Sequence, residues 1–535
     1  MLLVAGGTIV ASSKKEFAGH PKGLYVLFFA EMWERFSYYG MRALLIFYLT
    51  QHWLYNDEKA SVIYGAYTAL VYIAPVLGGY LADRYLGQRK AVLFGAVLLT
   101  VGHFLMAFEG DAVTGHTANP MINVFWAALA FIIVGSGFLK ANISVIVGQL
   151  YPRTDVRRDG AYTIFYMGIN VGAAIGTIIA GYLGQTYGWA YGFGAAGFGM
   201  LLGLIVFIIF KPLLEGKGES NNPAVLERPV MGIKFEWLLY LVGLAAVAVT
   251  WWLVQNQAIV GTILGVFGAI LVAFVIWEAI KIGGHDRDRI FAAIFLIIGS
   301  IMFWALFEQA GSSLNLFTDR YVDRQGVEAS LFQSINPIYI ILLAPLFAAM
   351  WTLLGRKGLE PSTPAKFGLA LIQLGAGFLV LVFGANAVGM ENATPVLFIF
   401  LIYLLHTTGE LCLSPVGLSA MNRLAPKHMA SLIMGTWFFA SATGNFVAGL
   451  IAAATGSEQA SGEGAGKEVV LGVYDKIGWI SVGVGVAVIV ISPLIKRLMH
   501  LETLSDDSPE GHLEGEAGAG MEAQEAGAHP TTKSV

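Results

Sequence analysis

A chain of 535 residues that is 56% hydrophobic and only 13% charged, with a mean hydropathy of +0.67, is not a soluble globular protein, because soluble domains run at about 25% charged. It reads as an integral membrane protein of many spans, and its formal net charge of −4 gives no sign of nucleic-acid binding. A single cysteine, Cys412, excludes an intrachain disulfide.

The first dozen residues are mildly apolar, but Lys14 and Lys15 follow that run instead of preceding it, so no cleaved signal peptide is expected. Fourteen apolar segments are long enough to span. They lie near 24–49, 60–82, 90–108, 121–149, 161–183, 190–211, 236–255, 259–280, 290–314, 328–354, 366–388, 395–421, 429–453 and 474–496. The even number places both termini on one side. With the N-terminus inside, 24 of the 32 Lys and Arg fall in cytoplasmic segments. Five (Lys59, Arg320, Arg324, Lys467 and Lys476) fall outside, and Arg35, Arg42 and Lys140 lie within spans. That asymmetry follows the positive-inside rule.

The first span contains Glu31-Met32-Trp33-Glu34-Arg35-Phe36-Ser37-Tyr38-Tyr39-Gly40-Met41-Arg42. On a helix, Glu31, Glu34, Arg35, Tyr38 and Arg42 fall within an arc of roughly 100°. Each ionised residue near the bilayer centre costs about 2.5–3.5 kcal/mol, so four facing lipid would cost on the order of 10 kcal/mol. They must face one another, a partner helix or a water-filled cavity. Glu31 and Arg35 are i,i+4 neighbours that could simply pair. Two carboxylates with two guanidiniums exceed what helix packing requires, and they read as a hydrated track for an ion or a charged solute.

Further along, Lys140 sits mid-span, too deep to extend its ammonium to either interface; pairing with a carboxylate is the plainer account. Gly172 and Gly176 have the small-xxx-small spacing of close helix approach. Residues 212–235 form the longest internal polar connection, and the two spans after it carry Trp251, Trp252 and Trp277, of the kind found at membrane interfaces. Setting 236–280 aside leaves six spans before and six after, which suggests two homologous halves with a helical hairpin between them. Asn170 and Asn336 are neutral amides that could bridge helices. Glu308 and Glu410 are lone carboxylates deep in apolar spans of the second half. Pro337 and Pro415, close to Asn336 and Glu410, could each remove a helix hydrogen bond and bend the chain beside the site. His103 and His406 lie within spans, and His406 reads as a core histidine. Residues 454–470, mostly Gly, Ser, Ala and Glu, read as an external linker, and the Glu-, Gly- and Ala-rich tail from Asp506 as disordered.

The stretch Glu31-x-x-Glu34-Arg35-Phe36-x-Tyr38-Tyr39-Gly40 resembles a signature of bacterial proton-coupled oligopeptide transporters, a branch of the major facilitator superfamily. Gly79-Tyr80-Leu81-Ala82-Asp83-Arg84-Tyr85-Leu86-Gly87-Gln88-Arg89-Lys90 is similar to the superfamily's loop between its second and third helices. Phe165-Tyr166-x-x-Ile169-Asn170-x-Gly172, Phe303-Trp304, Glu308-Gln309 and Glu410-x-x-x-Ser414-Pro415 match further family patterns, so the resemblance covers about residues 20–498. It implies an all-α membrane protein of the major facilitator fold, with two six-helix bundles plus two extra inserted helices, fourteen transmembrane helices in all. The divisions would be a cytoplasmic segment 1–22, a bundle 23–211, the linker and hairpin 212–288, a bundle 289–498 and a tail 499–535.

The activity implied is symport of di- and tripeptides with protons across the inner membrane, by a chain that works as a monomer with both termini cytoplasmic. No cofactor is expected beyond the proton as coupling ion. Cations in the first half and carboxylates in the second suit a zwitterionic peptide. By the resemblance, Glu410 would hold the peptide ammonium, helped by Asn170 and Asn336. Arg42, Lys140 and also Arg35 would hold its carboxylate, and Tyr38, Tyr39, Tyr72 and Trp437 would line the walls. Animal members use a histidine in the second helix, and 60–82 has none, so coupling is expected to rest on Glu31, Glu34 with Arg35, and Glu308. A small-anion carrier of the same family, a membrane enzyme and a passive channel are the competing readings. Branches carrying anions tend to lack the Glu-x-x-Glu-Arg pattern. No His-Glu-x-x-His, Gly-x-Ser-x-Gly or Walker loop is present.

Overall fold

The computed structural model describes residues 16–108, 110, 115–151, 157–426, 429–456 and 465–501. The disordered tail, most of the N-terminal segment and residues 457–464 of the external linker expected from the sequence lie outside those residues. Fourteen long helices make up the described chain: α1 Lys22–Phe47, α2 Asp57–Leu81, α3 Gln88–Leu105, α4 Ile122–Gln149, α5 Arg158–Tyr187, α6 Trp189–Ile209, α7 Phe235–Gln255, α8 Gln257–Ile282, α9 Gly284–Phe307, α10 Ile335–Arg356, α11 Thr363–Val388, α12 Leu397–Leu424, α13 Ala430–Ala454 and α14 Ala465–Leu498. Twelve of the long helices are apolar enough to cross a membrane by composition alone. The other two are α1, with its charges mid-helix, and α3, which is 18 residues long and opens on Gln88-Arg89-Lys90.

Packing divides the bundle. In the first half α1 packs on α5 and α6, and α4 on α2 and α3; in the second half α11 packs on α12 and α14, and α9 on α13. Each half has its own apolar core. The inserted pair is shared: α7 lies on α4, while α8 lies on α9 and α13. Gly172 and Gly176 both face the backbone of α1, where a Cβ would run into the carbonyls of Met32 and Phe36. Two bare positions thus let α5 press against the charged helix and hold its polar stripe off the lipid.

The halves meet along α2–α13 and α5–α10. A Cβ at Gly449 would lie 2.7 Å from the Cα of Gly65, so this seam is closed backbone to backbone. Several bonds join the halves at the same end of the molecule, the one expected to be external. Asn315 Nδ2 donates to the Ala43 carbonyl at 3.1 Å and Gln333 Nε2 to the same oxygen at 3.3 Å. Arg320 forks onto Asp57, with Nη2 2.9 Å from Oδ1. Overpacking a tight contact costs about 1–3 kcal/mol, so Gly449→Val should loosen this end. The expected readout is faster labelling, by an impermeant thiol reagent, of a cysteine placed at Gln333 in a Cys412→Ser background.

Three sequence expectations change. The ninth span does not run unbroken to residue 314: α9 ends at Phe307, and the chain passes through a 3-10 turn, Glu308–Gly311, into a short helix Ser313–Tyr321. Pro337 stands in the first turn of α10, where a missing N–H breaks no intrahelical bond, so it is not the source of a bend. The interior proline there is Pro345; the side chain of Pro415 lies outside the described residues. The last span begins at Ala465, because Lys467 reaches the carbonyls of Gly389 at 3.0 Å and Asn392 at 2.7 Å and holds the extra turns against the end of α11.

Candidate functional site

The stripe on α1 serves two separate clusters. Toward its start, Arg35 Nε lies 2.8 Å from Glu31 Oε1 and 3.0 Å from Glu34 Oε2. None of the three is more than 2% exposed. Lys140 of α4 is as deeply buried and lies 4.4 Å above the ring of Tyr38, with the Arg35 guanidinium 5.9 Å from the same ring. Tyr38 is therefore flanked by two cations, each favoured by the π face. Two carboxylates and two cations give a cluster without net charge, which lowers the penalty of burying any one of them.

One turn further along α1, Arg42 faces the other half. Its Nε donates to Tyr64 Oη on α2 at 2.6 Å, and its Nη2 pairs with Glu308 at the end of α9. The break in α9 and the bare Gly311 beside it make room for Tyr64, whose hydroxyl occupies the space that a Cβ at Gly311 would take. Arg42 and Glu308 lie on the wall of a central cavity of about 60 Å³, together with Tyr39, Tyr72, Asn170, Asn336 and Glu410. Asn336 Nδ2 donates to Glu410 Oε2 and to Thr407 Oγ1, both at 3.0 Å. Asn170 Nδ2 donates to the Tyr166 carbonyl of its own helix at 3.3 Å. The cavity thus carries a guanidinium from the first half and carboxylates from the second, with amides between.

Seven of the thirteen expected site residues come together here (Tyr39, Arg42, Tyr72, Asn170, Glu308, Asn336 and Glu410), and six do not: Glu31, Glu34 and Arg35 form the first cluster, and Tyr38, Lys140 and Trp437 are off the wall as well. Lys140 and Tyr38 belong to the first cluster and do not line the cavity; Tyr72, which does, has its ring 5.5 Å from the Lys140 ammonium. Trp437 is off the wall: its ring is wholly buried in the second-half core, 6.3 Å from Phe367, in the gap that Gly417 leaves bare. A large aromatic on an apolar span packs as readily as it lines a cleft, and here packing took it. His406 is a core residue, with Nε2 3.1 Å from the Leu374 carbonyl. Sequence reading gave no site role to Tyr64, Thr407, Tyr403 or Trp304, the last quoted only within a family pattern; Tyr64 bonds Arg42, Thr407 bonds Asn336, and Trp304 and Tyr403 line the cavity. Thr407, one turn before Glu410, had a positional signal; Tyr64 had none without knowing that α2 faces Arg42.

A family model described as PTR2, POT family, matches residues 89–470. Over 470 residues the chain is 38% identical to the peptide transporter YePEPT of Yersinia enterocolitica, covering 82% of this chain and 88% of that one. It is 30% identical over 488 residues to dipeptide and tripeptide permease B of Salmonella typhimurium, covering 90% and 96%. Among solved structures, a glutamate-to-glutamine variant of a peptide transporter POT in complex with alafosfalin superposes with a TM-score of 0.76 at 34% identity, over 91% of this chain and 97% of that one.

Proposed function

The chain belongs to the POT family, and from that premise we propose that it is a secondary active symporter importing di- and tripeptides with protons by alternating access. The observation that carries this reading is the polarity of the central cavity, with Arg42 on one wall and Glu410, held by Asn336, on the other. A peptide's two charged ends find opposite charges there. Glu410 takes the ammonium, Arg42 the carboxylate, and Asn170 and Asn336 bond the backbone between them. Glu31, Glu34 and Glu308 carry the proton, with Arg35 and Arg42 as the cations against which they are balanced.

The seam closed at Gly65 and Gly449, with the cross-half bonds to Ala43 beside it, supports a resting state shut at the external end. The bundles then rock about the midplane cavity. The excess of Lys and Arg on one side supports both termini being cytoplasmic, in a protein of the inner membrane. One chain supplies every group named, so the working unit is the monomer. Neither a cofactor nor nucleic acid enters the cycle, and the peptide leaves chemically unchanged.

Purified protein in liposomes should take up a labelled dipeptide when the outside is acidified, saturably, with collapse on adding a protonophore. Nitrate and a sugar should not be driven. Hydrolysed peptide inside would point to an enzyme, and uptake linear in concentration to a channel. Glu410→Gln keeps shape and hydrogen bonding but removes the charge opposite the ammonium. Losing a charge-assisted bond in a buried site costs about 1.5–3 kcal/mol, so affinity for free dipeptides should drop on the order of 10- to 100-fold. Binding of N-acetylated analogues should change little, and equal loss for both ligands would leave Glu410 a structural carboxylate.

A further inference from the structure

The inserted helix pair walls a second opening, which shares no residue with the central cavity. Where α2, α8 and α13 meet, at the end expected to be external, a cleft of about 450 Å³ lies between Glu58, Lys59 and Val62 of α2, Gln257 of α8, and Phe446 and Leu450 of α13. That volume is within the range of about 300–1,000 Å³ usual for small-molecule sites. Its floor is apolar, and its rim carries one charge of each sign. Gln257 is 3% exposed. Its Nε2 donates to the Val254 carbonyl, and its Oε1 accepts from the Lys59 ammonium at 2.6 Å. The ammonium is thereby held at the mouth with N–H groups to spare. Glu58 and Lys59 are both exposed, and neither makes an ion pair among the described residues. Adjacent in sequence, they point apart on the helix and do not face each other. A bare strip continues from the cleft along α8. A Cβ at Gly261 or Gly268 would meet the rings of Phe446 and Phe439, while at Gly265, on the same face between them, it would meet nothing within 4 Å. Trp252, 49% exposed near the end of α7, marks the level of the membrane interface.

We propose that this cleft binds a phospholipid of the outer leaflet whose headgroup carries both a phosphate and a primary ammonium, as that of phosphatidylethanolamine does. The phosphate takes the Lys59 ammonium, and the headgroup ammonium takes the Glu58 carboxylate. An acyl chain lies over Val62, Leu450 and Phe446 and follows the bare strip past Gly265. Acyl chains find equally apolar surroundings elsewhere in the bilayer, so selection falls to the two charges. An anionic headgroup without an ammonium would meet Lys59 but also the repulsion of Glu58, and a soluble zwitterion would lack the chain. The occupant touches α2 of the first half, α13 of the second and α8 of the hairpin at once, in helices that include the Gly65 and Gly449 seam. It therefore braces the closed external end, and the inserted pair supplies the third wall that makes the cleft. This inference goes beyond the transport reading and holds whatever solute crosses the central cavity.

The test is binding of a tail-labelled phosphatidylethanolamine to the full chain, purified and delipidated in detergent. Binding should saturate, and phosphatidylglycerol, which lacks the ammonium, should compete about fivefold less well or worse. Lys59→Gln should weaken both lipids by about fivefold or more, since both offer a phosphate. Glu58→Gln should weaken phosphatidylethanolamine alone and so erase the preference. Leu450→Trp, which fills the apolar floor and leaves both charges, should also weaken both lipids. All three variants should keep the wild-type melting temperature in detergent without lipid, because the substituted side chains are exposed. Equal competition by the two lipids in the wild type overturns the headgroup assignment. Unchanged binding in Lys59→Gln and Leu450→Trp overturns the site and leaves only the lipid that coats any membrane protein. Competition by soluble glycerophosphoethanolamine or a dipeptide as strong as that by the lipid would make the cleft a site for soluble zwitterions, which overturns the lipid assignment as well.

Discussion

Glu308→Gln should accumulate no dipeptide above the level of empty liposomes under a proton gradient, while exchanging peptide across the membrane at zero gradient within about threefold of wild type. Glu308 sits where α9 gives way to a 3-10 turn, and the negative end of the helix dipole makes that a poor place for a carboxylate. What holds it there is Arg42, brought from the other half and steered by Tyr64. Ionised, the pair ties the halves together beside the closed seam. Protonated, Glu308 loses its hold on the guanidinium, and the peptide carboxylate can take its place. Glutamine imitates the protonated side chain permanently. The tie is then always weak, so the bundles can rock with or without a proton and the gradient has nothing to act on. Each 1.4 kcal/mol removed from such a tie changes the balance of the two states about tenfold, and breaking a buried ion pair is worth about 3–5 kcal/mol. Accumulation should therefore vanish and not merely decline. Free Arg42 should also raise affinity for free dipeptides over C-amidated ones. Wild-type accumulation in this variant would remove Glu308 from coupling.

The sequence was most legible where membrane physics leaves few choices. Charges in the first span had to turn inward, and Glu31, Glu34 and Arg35 are wholly buried against one another. Asn336 and Glu410, 74 residues apart, were both polar outliers in apolar spans, and they are bonded. Legibility ended where position depends on which helix faces which. The break at Glu308 has no proline to announce it; it arises at Gly311, bare against the Tyr64 hydroxyl, a contact between halves that spacing along the chain cannot reveal. The same limit hid Tyr64 and put Trp437 on the wrong side of its helix. Extra turns at the start of α14 were invisible for a related reason, since they depend on carbonyls of another loop that Lys467 happens to reach. Lys140 was identified as costly and buried, but its partners were assigned by charge alone, and that assignment shapes the second large effect.

Lys140→Gln should abolish proton-driven uptake, with residual rates at least a hundredfold below wild type, yet leave the preference for free over amidated peptides in binding. The ammonium lies over Tyr38 and beside Tyr72, off the cavity wall, and its charge acts on Glu31. Removing it leaves the cluster with two carboxylates and one guanidinium, and an uncompensated buried charge costs about 3–5 kcal/mol. The cluster would then recover neutrality by retaining a proton on Glu31 or Glu34, and a site that cannot release its proton cannot turn over. A second substitution, Glu34→Gln, restores the charge balance and should recover expression and melting temperature while uptake stays lost. Discrimination between free and amidated peptides depends on the cation that faces the ligand, and on the cavity wall that cation is Arg42. Arg42→Gln is the variant in which the discrimination should disappear. If Lys140→Gln instead binds amidated and free dipeptides equally well, Lys140 reaches the peptide carboxylate during the cycle, and its place off the cavity wall belongs to one state only.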